Sequence, residues 1–252
     1  MALRSALAYN STATRPCVLE ADVKIALRAV WMFAGTLALY FGLSLLGWGL
    51  ADVGGFFSSA ARVGYAVVIA AFGVAVAYQA VVAPEGIEGS SGLKEKRVPR
   101  QAAVGYAMLL VLAIGLIVLP ICDRRGLATL PESPFVRWPG VVLTAIGYAL
   151  IILSGIYLGH QYSAEVTIQE NHQLITAGPY RLIRHPRYLG ILLLTVGASL
   201  AFRTWVGLAL LPFVLVLLLW RIHDEEALMA KEFGEEWRAY CRRAWRLVPG
   251  IY

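Results

Sequence analysis

Apolar residues dominate four long stretches of the chain, at about 25 to 49, 63 to 83, 102 to 121 and 138 to 158. Each suffices for the roughly 20 helical residues needed to cross about 30 Å of hydrocarbon. Two shorter apolar runs follow at 188 to 202 and 204 to 221, separated by little more than Arg203 and Thr204. Because a lipid interior leaves no partner for free backbone groups, these two are expected to form a helical hairpin. The pattern therefore predicts an all-α integral membrane protein with about six transmembrane helices, the last two forming a C-terminal hairpin.

The polar stretches divide the chain further. Residues 1 to 22 read as a cytoplasmic leader, and 23 to 100 as an N-terminal helix pair followed by a loop. That loop carries Gly86, Gly89, Ser90, Ser91 and Gly92, then Lys94-Glu95-Lys96-Arg97, a composition that disfavours regular structure. Residues 101 to 252 form the expected core. Within it, 123 to 139 contains three prolines and reads as a partly ordered connector. Beyond the hairpin, Phe233, Trp237, Cys241, Ala244 and Trp245 recur at near-helical spacing while Lys231, Glu235, Arg238 and Arg242 take other faces. This predicts a C-terminal amphipathic helix on the membrane surface or over the cytoplasmic mouth. A GxxxG at Gly155 and Gly159 suggests only local helix packing.

Composition agrees with the pattern. At 59% hydrophobic and 15% charged residues, the chain is too apolar for an ordinary soluble domain. Of the 22 Lys and Arg residues, 17 fall on the N-terminal side of the expected topology. The other five, Arg62, Arg124, Arg125, Arg137 and Arg203, fall opposite. The positive-inside rule then places both termini in the cytoplasm; the expected setting is the plasma membrane of a prokaryote. The net charge of +6 is spread over juxtamembrane segments with no nucleic-acid module beside it, so membrane lipids, not nucleic acid, are the expected polyanionic partners. Cys17, Cys122 and Cys241 lack CxxC spacing, and the four histidines lack ligand spacing, so no metal is expected.

Two segments carry the candidate chemistry. The first reads Gly178-Pro179-Tyr180-Arg181-Leu182-Ile183-Arg184-His185-Pro186-Arg187-Tyr188-Leu189-Gly190. Pro186 suits the first turn of a helix, so Arg184 and His185 are expected at the entrance of the fifth span. There the Arg184 fork and free backbone amides favour a carboxylate. Tyr180 and Tyr188 offer aromatic faces to a cation or an adenine ring. The second segment, Arg221-Ile222-His223-Asp224-Glu225-Glu226, lies where the sixth span leaves the membrane. Consecutive helical residues point about 100° apart, so one of Glu225 and Glu226 faces inward, able to bind an ammonium or ribose hydroxyls. Taken singly, each residue has an ordinary alternative as a snorkelling cation, an interfacial aromatic or a solvated helix end.

Taken together, these residues resemble a known family. His172-Gln173-Leu174-Ile175-Thr176, Gly178, Tyr180, Arg184-His185-Pro186, Tyr188 and Gly190, then Arg221-Ile222, Glu225-Glu226, Phe233-Gly234, Tyr240 and Val248-Pro249 are similar to the isoprenylcysteine carboxyl methyltransferases. The likeness covers roughly residues 155 to 252. It implies a membrane-embedded enzyme using S-adenosylmethionine without a Rossmann domain, in a cytoplasm-facing cofactor pocket. Carried over position by position, His172, Leu174, Ile175, Gly178, Tyr180, His185, Tyr188, Glu225 and Glu226 become cofactor-side candidates. Arg184 and Arg221 become candidates for holding a substrate or cofactor carboxylate, and Arg184, Glu225 and Arg221 for taking part in catalysis. The implied acceptor is a hydrophobic or lipid-like small molecule, methylated on a carboxylate oxygen. Alternatives stay open: a phospholipid-type N-methyltransferase, an NADPH-dependent sterol-type reductase sharing the RHPxYxG element, or a membrane scaffold without turnover. The likeness does not reach residues 1 to about 150, and the closing Val248-Pro249-Gly250-Ile251-Tyr252 departs from the family's usual ending.

Overall fold

The computed structural model describes residues 15–82, 99–159 and 173–252. Eight α-helices carry the fold among these: α1 (Arg15–Thr36), α2 (Leu43–Trp48), α3 (Val53–Phe57), α4 (Ala60–Val82), α5 (Pro99–Arg125), α6 (Pro134–Leu158), α7 (Pro186–Ala201) and α8 (Trp205–Cys241). A π-helical stretch, Leu37–Gly42, joins α1 to α2 and makes them one crossing. The expected all-α architecture holds; the described residues form only two isolated β-bridges. Five helical segments are long and apolar enough to span a bilayer: Val23–Trp48, Ala60–Val82, Ala103–Arg125, Pro134–Leu158 and Trp205–Cys241. The expected fifth span is shorter. At 16 residues α7 extends about 24 Å, and it forms the hairpin with α8.

Local chemistry sets the helix starts. Ser133 Oγ accepts from Phe135 N at 3.2 Å ahead of Pro134, and Thr204 Oγ1 accepts from Val206 N at 3.2 Å. Each satisfies one amide that the first helical turn leaves free. Pro134 and Pro186 occupy positions where a missing N–H costs nothing.

The closest helix pair is α6 with α7, and glycine permits it. A Cβ on Gly147 would stand 2.7 Å from the Gly190 carbonyl oxygen, and one on Gly197 would stand 2.6 Å from the Thr144 amide. The backbones therefore touch directly, as small residues allow between helices in lipid. Gly155 of the GxxxG pair faces Gln79 of α4 instead, and Gly159 ends α6 at φ 52°.

At the membrane end where α5 meets α6, a buried ionic network lies where a partly ordered connector was expected. The Asp123 carboxylate, only 1% exposed, accepts from Arg137 at 2.8 Å, Arg203 at 2.7 Å and Arg62 at 3.2 Å. Glu132 pairs with Arg137 at 2.6 Å and Arg203 at 2.9 Å. Arg62 also lies 4.4 Å from the centre of the Trp48 ring. Three of the five opposite-side arginines thus serve as internal ties between α4, α5, α6 and the α7–α8 turn.

At the other end, the part of α8 before its kink at Gly234, 205–233, is about 44 Å long and already extends past the hydrocarbon. The expected amphipathic helix follows a kink at Gly234 and runs to Cys241. Gly234, at φ 49°, breaks the helix and turns Trp237 and Tyr240 back over the bundle, where they pack with Leu174, Met229 and Phe233. The chain then returns to the segment before α7. Arg184 N donates to Trp245 O at 2.8 Å, and Trp245 N donates to Leu182 O at 2.9 Å.

Candidate active site

The entrance of α7 and the emerging end of α8 meet around two carboxylates. Pro186 starts α7, so the residue before it, His185, sits at the helix N-terminus; it is 8% exposed. Its Nε2 lies 3.2 Å from Glu226 Oε1, and its Nδ1 lies 3.6 Å from Glu225 Oε2. One turn into α7, the Tyr188 hydroxyl donates to Glu225, and the Tyr188 ring stacks on His185 at 5.6 Å between centroids. From α8, Arg221 Nε donates to the Tyr188 hydroxyl at 2.8 Å and to Glu225 Oε1 at 3.2 Å. Glu225 is therefore the hub of a buried set comprising His185, Tyr188 and Arg221.

Glu226 faces elsewhere, consistent with the 100° step of a helix. It pairs with Arg184 at 3.2 Å and Arg246 at 2.8 Å, tying the returning C-terminal segment to the α7 entrance. Arg184 Nη1 also donates to the Cys241 carbonyl at 3.2 Å, and its guanidinium lies 6.0 Å from the Trp237 ring centre. Both candidate arginines thus already have internal carboxylate partners.

A cavity of about 640 Å³ begins at this cluster. Leu174, Ile175, Tyr180, Arg184, His185, Tyr188, Arg221 and Glu225 all line it; Gly178 and Glu226 do not. Gly178 adopts φ 59° where a Cβ would overlap the Tyr157 ring, so it shapes the loop before α7. His172 lies outside the described residues. The polar end also includes Gln101 of α5, Gln173, Trp237 and Tyr240, which the sequence reading did not place there. From this end the cavity follows α5 from Gln101 to Leu119, about 27 Å of helix, between walls including Met108, Leu112, Ile151, Leu194, Phe202, Val214 and Leu217. Tyr40, Tyr65, Thr144 and Tyr148 line its deep end.

The two glutamates also set the charge on His185. Burial works to lower its pKa, but hydrogen bonds and charge from Glu225 and Glu226 outweigh burial and raise it above the usual 6.5. The protonated ring therefore stabilises the fold fully below about pH 6.5, and this contribution fades as pH rises through the raised value. The gap in melting temperature between the parent protein and His185→Gln, measured in detergent, is expected to be wider at about pH 6 than at about pH 9. An equal gap at both would mean that folding leaves the His185 pKa unshifted, and a narrower gap at pH 6 would mean that the folded protein holds the ring neutral.

Fold and site together define a polytopic helical membrane protein with one polar-headed, apolar-bodied cavity bounded by the last two apolar helices. Residues 140–231 match the sequence model of the isoprenylcysteine carboxyl methyltransferase (ICMT) family. A probable protein-S-isoprenylcysteine O-methyltransferase of Oryza sativa is 33% identical over 129 residues, covering 48% of this chain and 65% of the relative. A Delta(14)-sterol reductase of Mus musculus is 34% identical over 87 residues, covering 32% of this chain and 20% of the reductase. The solved structure of a eukaryotic intramembrane Ras methyltransferase, ICMT, superposes with a TM-score of 0.46 at 15% identity, over 90% of this chain and 98% of that one. The chain spans less than two thirds of the length of the rice relative.

Proposed function

We propose that this protein is a membrane methyltransferase that uses S-adenosylmethionine to methylate the carboxylate of an acceptor carrying a long apolar chain. The observation carrying this reading is the form of the cavity. A cluster of Arg184, His185, Tyr188, Arg221 and Glu225 heads a continuous apolar channel along α5. The family match and the rice relative's name support the reaction type. The distribution of Lys and Arg supports a cytoplasmic polar end.

The residues present fit the cofactor. Aromatic faces from Tyr180, Tyr188, Trp237 and Tyr240 suit a sulfonium or an adenine, and the Glu225 carboxylate suits an ammonium or ribose hydroxyls. Arg184, which lines the cavity and is held at 3.2 Å from Glu226, suits a carboxylate through its guanidinium fork. When bound, S-adenosylmethionine supplies an electrophilic methyl group. The chain's own residues orient the acceptor and exclude water, effects that contribute several kcal/mol when the reactants are held in line. Arg221 and Arg184 position an acceptor carboxylate, which is already nucleophilic and needs no base. An amine acceptor would need to lose a proton, and Glu225 is the group placed to take it.

The test is calorimetric binding of S-adenosylhomocysteine and NADPH, side by side, to the detergent-purified protein, followed by methyl transfer from labelled S-adenosylmethionine to an S-isoprenylcysteine. Binding of S-adenosylhomocysteine alone, with label in the acceptor, is expected. Binding of NADPH alone would replace this reading with a reductase.

A further inference from the structure

Most hydroxyls around the cavity have partners of their own. Thr144 and Thr195 donate to the carbonyls four residues back, at 2.8 and 3.0 Å. The Tyr180 and Tyr240 hydroxyls donate to the Ser154 and Tyr180 carbonyls at 3.5 and 2.7 Å, and Tyr188 donates to Glu225. Tyr148 of α6 is different. Its ring stacks on Phe72 at 4.0 Å between centroids and meets the Tyr40 ring edge-on at 5.7 Å, so packing fixes the direction of the phenol. The residue is 5% exposed and lines the cavity, and among the described residues its hydroxyl has no hydrogen-bond partner. Unlike Gln101 Oε1, which is sealed inside the packing, the Tyr148 oxygen keeps accessible surface. In a side chain otherwise enclosed by the core, that surface opens into the cavity.

The place of this hydroxyl is far from the polar end. Ser154, which receives Tyr180 there, lies six residues further along α6, a rise of about 9 Å. A helical tyrosine leans toward the N-terminus of its helix, which here points away from the polar end and adds to that separation. The surrounding Ile151, Leu194 and Ala198 are apolar and offer no side-chain partner. Phenylalanine would keep the stack on Phe72 and leave nothing unmet, the arrangement that an apolar interior favours. The free hydroxyl instead matches an acceptor atom that arrives with a ligand already threaded past the polar cluster.

We propose that Tyr148 is a specificity residue: its hydroxyl donates a hydrogen bond to an oxygen carried along the tail of the acceptor, well away from the carboxylate. The preferred acceptor then has a tail interrupted by a keto, ether or hydroxyl oxygen, in preference to one of pure hydrocarbon. This rests on the carboxyl methyltransferase reading above and adds to it a feature of the tail.

The experiment uses N-acetylated S-alkylcysteines of one tail length, one of them all-hydrocarbon and the others carrying a single keto group at successive positions. For the parent protein, kcat/KM is expected to peak at one keto position, about five- to tenfold above the all-hydrocarbon compound, the scale of one net hydrogen bond. Tyr148→Phe keeps the ring and removes the donor. It is expected to turn that peak into a value below the all-hydrocarbon compound, because the keto oxygen is then buried unmet, while thermal unfolding in detergent confirms the fold. A parent with no peak, a preference equal at every position, or a peak that survives in the variant would overturn the proposal. If no compound is methylated, the carboxyl methyltransferase reading fails. The Kd ratios of the same compounds, measured by calorimetry on the parent and the variant, then decide the role of Tyr148 separately.

Discussion

Replacing Glu225 with glutamine is expected to lower S-adenosylhomocysteine affinity by about a hundredfold and to abolish measurable methyl transfer. The carboxylate accepts from Tyr188 and Arg221 and faces His185 Nδ1 at 3.6 Å. Glutamine matches its volume but offers one acceptor oxygen where two stood, and turns an N–H₂ toward groups that themselves donate. A ligand ammonium or hydroxyl then loses hydrogen bonds to a charged group, worth about 1.5–3 kcal/mol, and the upper end corresponds to roughly a hundredfold in affinity. Glu226→Gln provides the comparison. Because Glu226 lies outside the cavity lining and holds Arg184 and Arg246, it is expected to lower the melting temperature more than the affinity. Equal affinity of the parent and the Glu225→Gln variant for S-adenosylhomocysteine would remove Glu225 from the site.

The largest loss of stability is expected from Asp123→Ala. This side chain, 1% exposed, faces three guanidiniums, of which Arg137 is 3% and Arg62 9% exposed. Glu132, at 60% exposed, is a weak substitute. Uncompensated buried charge of this kind costs about 3–5 kcal/mol, a large fraction of an ordinary folding free energy. Thermal unfolding in detergent is expected to show a drop of many degrees. The double variant Asp123→Leu, Arg137→Met is expected to recover part of it, because removing both charges leaves less stranded. A single variant that melts like the parent would show that the arginines find other partners.

Much of the bundle was legible because lipid imposes a simple rule, that long apolar runs become helices. Pro186 marked the start of α7 for an equally local reason, whereas α6 starts at Pro134, inside the stretch read as a connector. The encounter of the RHPxY segment with Glu225 was legible through family likeness, since hydropathy alone leaves the phase of α8 open and so could not say which glutamate turns inward. Two parts were not legible. Arg62, Asp123, Arg137 and Arg203 lie in four separate segments, and no spacing along the chain hints that they meet. Gln101 belongs to no motif; its one signal was a lone amide opening an otherwise apolar span, and polar side chains at such positions mark sites more often than their number suggests.

The seam between α6 and α7 bears on how anything reaches the cavity. Where two backbones touch through Gly147, Gly190 and Gly197, no side chain stands between them whose rotamers could adjust. The pair behaves as a plank, able to tilt but not to part. For the proposed long-tailed acceptor, entry from the bilayer is then expected beside α5, which rests on α2 and α8 and lines the cavity along most of its length.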